Sequence, residues 1–102
     1  MSVSHVLVVD DEADIRALIQ EILSDEGYEL TVSADANEAR LAREATRFDL
    51  ILLEIWMPDT DGITLLREWS DKGDLKCPVV IMSGHGTVDT ASWIVEGPWF
   101  AA

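Results

Sequence analysis

The chain alternates short apolar runs with stretches whose apolar residues recur at helical spacing. His5 to Val9 (HVLVV) is a nearly unbroken apolar run, the pattern of a strand buried on both faces. Ile15, Leu18, Ile19, Ile22 and Leu23 then follow at i, i+3, i+4, i+7 and i+8, one stripe of a helix, and Gly27 stands where a C-terminal stop belongs. Glu29 to Ser33 (ELTVS) alternates like a strand. Asp35 can cap a helix running through Arg47, with Ala39, Ala42 and Ala45 as a small-residue face. Leu50 to Ile55 is a third strand, driven straight into a glutamate at Glu54. Asp61-Gly62 opens a third helix that carries Ile63, Leu65, Leu66 and Trp69 to about Lys72. After the loop KGDLKCP, Val79 to Met82 is a fourth strand, SGHG is a turn, and a fourth helix starts at Thr87.

The order β-α-β-α-β-α-β-α predicts an α/β fold. Right-handed crossovers make it an open, doubly wound parallel sheet with helices on both faces. A length of 102 residues suits one domain with one core, and a hydrophobic share of 48% places the chain among globular proteins. No internal repeat, linker or low-complexity segment interrupts it.

Charge narrows the function. Twenty acidic residues against seven basic ones give a formal net charge of -13, a surface that repels phosphate backbones, so nucleic-acid binding by this chain alone is not expected. Cys77 is the only cysteine, which excludes a disulfide within the chain and fits a cytoplasmic setting. The start MSVSHVLVV lacks the cationic head and long apolar run of a signal peptide, and no apolar run approaches the roughly 20 residues of a membrane span.

In open parallel sheets, function gathers beyond the carboxyl ends of the strands. Asp10 and Asp11 follow the first strand, Glu54 ends the third and Ser83 ends the fourth. If the first and third strands are neighbours, Asp10, Asp11 and Glu54 converge. Packed carboxylates raise one another's pKa unless a cation neutralises them. A hard divalent ion, Mg²⁺ above all, suits such oxygen ligands, and the Ser83 hydroxyl could bond a phosphoryl oxygen. The plainer alternative makes Asp10 and Asp11 the N-cap and first-turn acid of the following helix. The coincidence with Glu54 and Ser83 at matching strand ends favours the chemical reading.

VLVVDDEADIR, DLILLEIWMPDTDG and VVIMSGHGTVDTA resemble the receiver domain of bacterial two-component response regulators, most of all the nitrogen-regulation (NtrC/NtrX-like) type. The resemblance covers about residues 3–91, leaving 92–102 as a divergent tail. It implies a flavodoxin/CheY-like strand order 2-1-3-4. It makes Asp10 and Asp11 the acidic pair, with Asp11 a direct Mg²⁺ ligand. Position 54 becomes the phosphoacceptor, the backbone carbonyl of Trp56 completes the metal site, and Ser83 is the switch hydroxyl. Pro58 and Gly62 shape the loop after the third strand. A histidine kinase is the implied phosphoryl donor. The domain would catalyse only its own phosphorylation and dephosphorylation.

Two departures alter that picture. The family has Asp where this chain has Glu54. The extra methylene carries the carboxylate roughly 1–1.5 Å further out, a misplacement that can cost about 10²-fold in an in-line attack on phosphohistidine. Glu54 could instead reach toward Ser83 and imitate a phosphoryl group, with one negative charge against about −1.5 to −2. The expectation is a phosphomimetic or non-phosphorylatable module acting through protein–protein interaction.

The second departure is the tail SWIVEGPWFAA, which stands where the family has a helix end, a fifth strand, a Lys-Pro pair and a last helix. No lysine follows Lys76 to play the family's phosphate-binding lysine; Trp99 or Phe100 could stand in for its aromatic switch residue. The fifth strand and last helix would then be missing or supplied by another chain. VVIM would become an unpaired apolar edge, and a homodimer or higher oligomer would follow by edge pairing or segment exchange. The alternative is a tail folded back on its own sheet in a monomer. The output domain is absent from these residues.

A Mg²⁺-dependent phosphoryl-transfer enzyme acting on an external substrate is the competing reading, weakened by the lack of a DxD pair after the first strand. A structural oligomeriser is the third. His5 suits a structural or surface role, and His85, in the loop after Ser83 near the presumed site, could sense pH or stack on a partner, or be a plain solvated loop histidine. With no second His or Cys beside them, zinc is not expected. SGHG lacks the Lys of a P-loop. Trp56 is either a contact surface or packed beneath its loop, and Trp69 belongs to the core.

Overall fold

A computed structural model describes residues 4–73 and 75–82, with the backbone of 93–94. β1 (His5–Val9), β2 (Glu29–Ser33), β3 (Leu50–Glu54) and β4 (Val79–Met82) form a parallel sheet in the order β2-β1-β3-β4. A short β5 (Trp93–Ile94) pairs antiparallel with the outer edge of β4. The helices are α1 (Ala13–Asp25), α2 (Ala36–Ala45) and α3 (Gly62–Asp71).

Strand parity sorts the sheet's side chains into two cores. Leu7, Val9, Ile51, Leu53, Val79 and Ile81 face one side and pack with Ala36 and Ala39 of α2 and Leu65, Leu66 and Trp69 of α3. Val6, Val8, Leu52 and Met82 face the other side, against Ile19 and Leu23 of α1. Trp69 is buried as expected, with the Arg43 guanidinium 4.6 Å from its ring centroid. His5 is structural: its Nε2 shares a 2.8 Å hydrogen bond with the Thr31 hydroxyl, and its ring meets Phe48 edge-on at 4.7 Å.

The helix ends follow local chemistry. α1 stops at Gly27, whose φ of 93° lets its N–H and that of Tyr28 close back on the Ser24 and Leu23 carbonyls, a Schellman stop. Asp35 accepts the Glu38 N–H at 2.8 Å, and Asp61 accepts the Thr64 N–H at 2.8 Å, so both expected N-caps are present. Gly62 answers a different need. A Cβ there would overlap the Glu54 carbonyl oxygen, and the Gly62 N–H donates to the Ile55 carbonyl at 2.6 Å. The first turn of α3 is thereby pressed onto the end of β3.

Several expectations are corrected. Of the α1 stripe, Leu18 and Ile22 remain 53% exposed. One helix lying on a sheet buries only the narrow face it presents, and among the described residues nothing flanks α1 on that side. α2 ends at Ala45 and not at Arg47, because Thr46 turns extended to send Phe48 into the core; Ala45 is consequently exposed. Neither Asp10 nor Asp11 caps α1. Glu12 holds that position without a side-chain bond. The β4 edge is not wholly unpaired, since Ile81 and Met82 pair with Ile94 and Trp93 of the same chain. No fifth parallel strand or last helix is among the described residues. The SGHG turn, the helix from Thr87, and Trp99 and Phe100 lie outside them.

Gly62→Ala is expected to destabilise the fold by about 1–3 kcal/mol, the usual cost of forcing a methyl into a closed contact. Urea unfolding measures it, and a midpoint equal to the parent's would refute the close-packing argument.

Candidate functional site

The site forms at the carboxyl end of the two central strands. β1 and β3 pair in register, Val9 opposite Leu53, so the next residues, Asp10 and Glu54, stand level and share the α1 face. On the other side of β3, Glu54 is level with Met82. The Asp10 N–H donates to the Ser33 carbonyl at 3.0 Å, which holds Asp10 at the end of the β1–β2 ladder.

Both side chains are buried, Asp10 at 3% exposure and Glu54 at 4%. Asp10 Oδ1 accepts the Glu12 N–H at 2.9 Å, bridging the turn into α1. Arg16 reaches back from the start of α1 and donates through Nη1 to the Asp10 carbonyl at 2.7 Å. Burial pushes the Asp10 carboxyl up to about 6. The Glu12 N–H opposes that rise, while the negative charges of Glu54, Asp11 and Glu12 add to it.

Glu54 Oε1 accepts a long hydrogen bond, 3.4 Å, from the N–H of Trp56 in its own exit loop. Asp11 faces solvent. The sheet therefore brings Asp10 and Glu54 side by side and leaves Asp11 outside. Among the described residues no three His, Cys, Asp or Glu side chains form a ready-made metal cluster. Ser83 and His85 lie outside the described residues.

The loop after β3 is fastened to α2. Asp59 accepts the N–H groups of Ala36 and Asn37, both at 3.1 Å, and that of Thr60 at 2.9 Å. Desolvation pushes the Asp59 carboxyl up, but these amides together outweigh it and hold the carboxyl below its ordinary value. The first two are unsatisfied donors of the α2 N-terminus, so one carboxylate both caps a helix and anchors the site loop. Arg40 of α2 pairs with Glu68 of α3 at 2.8 and 3.1 Å and reaches the Thr60 hydroxyl at 3.4 Å. Trp56 lies 54% exposed on this loop, a surface side chain and not one packed beneath it.

Sequence reasoning missed Arg16 and Asp59. Arg16 lies in the first turns of the predicted helix six residues after Asp10, near enough to have been considered. Nothing in PDTDG shows that Asp59 serves amides 22 and 23 residues earlier.

Comparison with known proteins gives one answer. A family model described as the response regulator receiver domain matches residues 6–97. A protein of Rickettsia bellii named putative response regulator NtrX-like is 40% identical over 93 residues, covering 89% of this chain and 19% of its own length. The chain thus spans about a fifth of that relative. Among solved structures, NtrX from Brucella abortus is 43% identical with a TM-score of 0.74, over 87% of this chain and 20% of that one. The response regulator TrrA from Thermotoga maritima, solved in complex with Mg(2+)-BeF, is 35% identical with a TM-score of 0.67, over 76% of this chain and 65% of that one.

The raised Asp10 pKa fixes a pH dependence. The folded state holds a proton that the unfolded chain has lost, so in metal-free buffer stability falls as pH rises from about 4 to about 6. Asp10→Asn keeps an acceptor for the Glu12 N–H and removes the charge. It is expected to flatten that slope and to stabilise the fold at pH 7 by on the order of 1–3 kcal/mol. Urea midpoints across that range measure both effects; an unchanged slope would contradict the assignment.

Proposed function

The chain belongs to the response regulator receiver domain family, and on that premise we propose that it is a receiver module whose Glu54 cannot be productively phosphorylated and which signals through protein contacts. The observation that carries this reading is the placement of Glu54: a buried carboxylate, level with Asp10, whose Oε1 is turned back onto the Trp56 amide. An in-line attack on phosphohistidine needs that oxygen projecting from the strand end at a distance set by aspartate. One more methylene lets the glutamate fold onto its own loop.

The donor set fits Mg²⁺. It is made only of oxygens, and the elevated Asp10 pKa marks a carboxyl that a cation would relieve. Asp10, Asp11 and the Trp56 carbonyl would hold the ion, with Glu54 beside it. When bound, Mg²⁺ would offset the crowded negative charge. Similarity to TrrA, solved with Mg(2+)-BeF, supports this assignment. Ser83, the residue that follows β4 in the sequence, is proposed as the switch hydroxyl that the family resemblance implies.

A histidine kinase is the proposed partner, with half-exposed Trp56 in its contact surface. No described helix is long and apolar enough to cross a membrane. Self-association is proposed on narrower ground than a free edge, because among the described residues β5 already pairs with two residues of β4. Light scattering over a concentration series is expected to show a dimer, and a monomer throughout would overturn that part.

The chemical test is incubation with acetyl phosphate and Mg²⁺, read by intact mass. The native chain is expected to gain no phosphoryl group, whereas Glu54→Asp is expected to gain one at a rate at least about 10²-fold higher. A stable adduct on Glu54 itself would sink the proposal.

A further inference from the structure

The end of the sheet away from Asp10 and Glu54 carries a second concavity. The last turn of α2, the link into β3 and the segment entering β4 border an open cleft of about 500 Å³. Phe48 and Cys77, both nearly buried, form its apolar floor, and Arg43, Arg47 and Lys76 stand in its walls, with Glu44 the acid among the described lining residues. The whole chain has only seven Lys and Arg residues and a net charge of -13, so gathering three cations here runs against its overall charge. A smaller cavity of about 150 Å³ adjoins it through Arg43 and Glu44 and adds Arg40 and Lys72.

The α2 macrodipole accounts for part of this. Arg43 sits in the last helical turn, where cations are favoured. Arg47 and Lys76 lie outside any helix and on separate segments, so the dipole does not explain their meeting. Arg43 is also held in place over the Trp69 ring. Burial pushes the Cys77 thiol pKa up; Arg43 and Arg47 pull against that rise and the Asp49 carboxylate adds to it.

We propose that this cleft is a second ligand site, taking a small organic polyanion whose carboxylate or phosphate groups meet Arg43, Arg47 and Lys76 while its carbon skeleton rests on Phe48 and Cys77. The volume lies within the range of small-molecule pockets. Guanidiniums favour carboxylate and phosphate oxygens through paired donors. Glu44 and the negative end of the α2 dipole repel a lone anion, so more than one acidic group is needed. The site is independent of the acidic end and of phosphorylation.

The test titrates ¹⁵N-labelled protein in metal-free buffer with citrate and, separately, with inorganic phosphate. Citrate is expected to produce saturable amide shifts centred on residues 43–48 and 76–77. Saturation by citrate and not by inorganic phosphate supports a site that needs more than one acidic group, whereas equal saturation by inorganic phosphate would overturn the polyanion proposal. Arg47→Ala with Lys76→Ala removes two exposed side chains and is expected to weaken binding at least about tenfold, with urea midpoints checking the fold. Arg67→Ala, an exposed arginine of α3 outside the cleft, is expected to leave binding unchanged. No saturation by either probe at about 10 mM, a double variant that still binds, or equal weakening by Arg67→Ala would each overturn the proposal.

Discussion

The in-register pairing of β1 with β3 governs the rest of this molecule. It sets Val9 against Leu53, so the chain leaves both central strands at the same height and on the same face. Asp10 and Glu54 are then placed side by side by backbone hydrogen bonding, before any side-chain preference enters. A one-residue slip would turn one carboxylate to the opposite face and its apolar neighbours out of both cores. The apolar burial that stabilises the sheet is therefore also what forces two acids together at its end.

That enforced proximity is unfavourable, and the surroundings show how it is contained. Asp10 takes an amide bond from Glu12 and stays easily protonated. Glu54 turns to the Trp56 amide. The loop between β3 and α3 is held from both ends, by Gly62 pressed against the Glu54 carbonyl and by Asp59 on the α2 amides. An acid-rich strand end is thus built into a rigid frame. A receiver needs such a frame, because a shift of about 1 Å in a reacting oxygen decides whether transfer occurs.

The charge distribution has a direction. Carboxylates gather where β1 and β3 end, while Arg43, Arg47 and Lys76 gather where β3 and β4 begin. Apolar runs buried on both faces leave ionic groups few places except the ends of strands and the outer faces of helices.

Much of this was legible in the sequence. The four parallel strands, the caps at Asp35 and Asp61, the stop at Gly27 and the buried Trp69 all follow from periodicity and cap chemistry, which act over a few residues. The acidic end was legible because strand ends can be read from where apolar runs stop. Other features were decided only in three dimensions. Leu18 and Ile22 sit on a helical stripe yet stay exposed, because a stripe says nothing about what lies opposite it. Asp59, Arg16 and the cleft around Cys77 each join segments distant along the chain. Glu54 shows the division most sharply. The sequence determined that an acid one methylene longer than aspartate ends the third strand; the tertiary structure decided which amide its carboxylate meets and that Asp10, not Asp11, lies buried beside it, because only strand register fixes which side chains share a face.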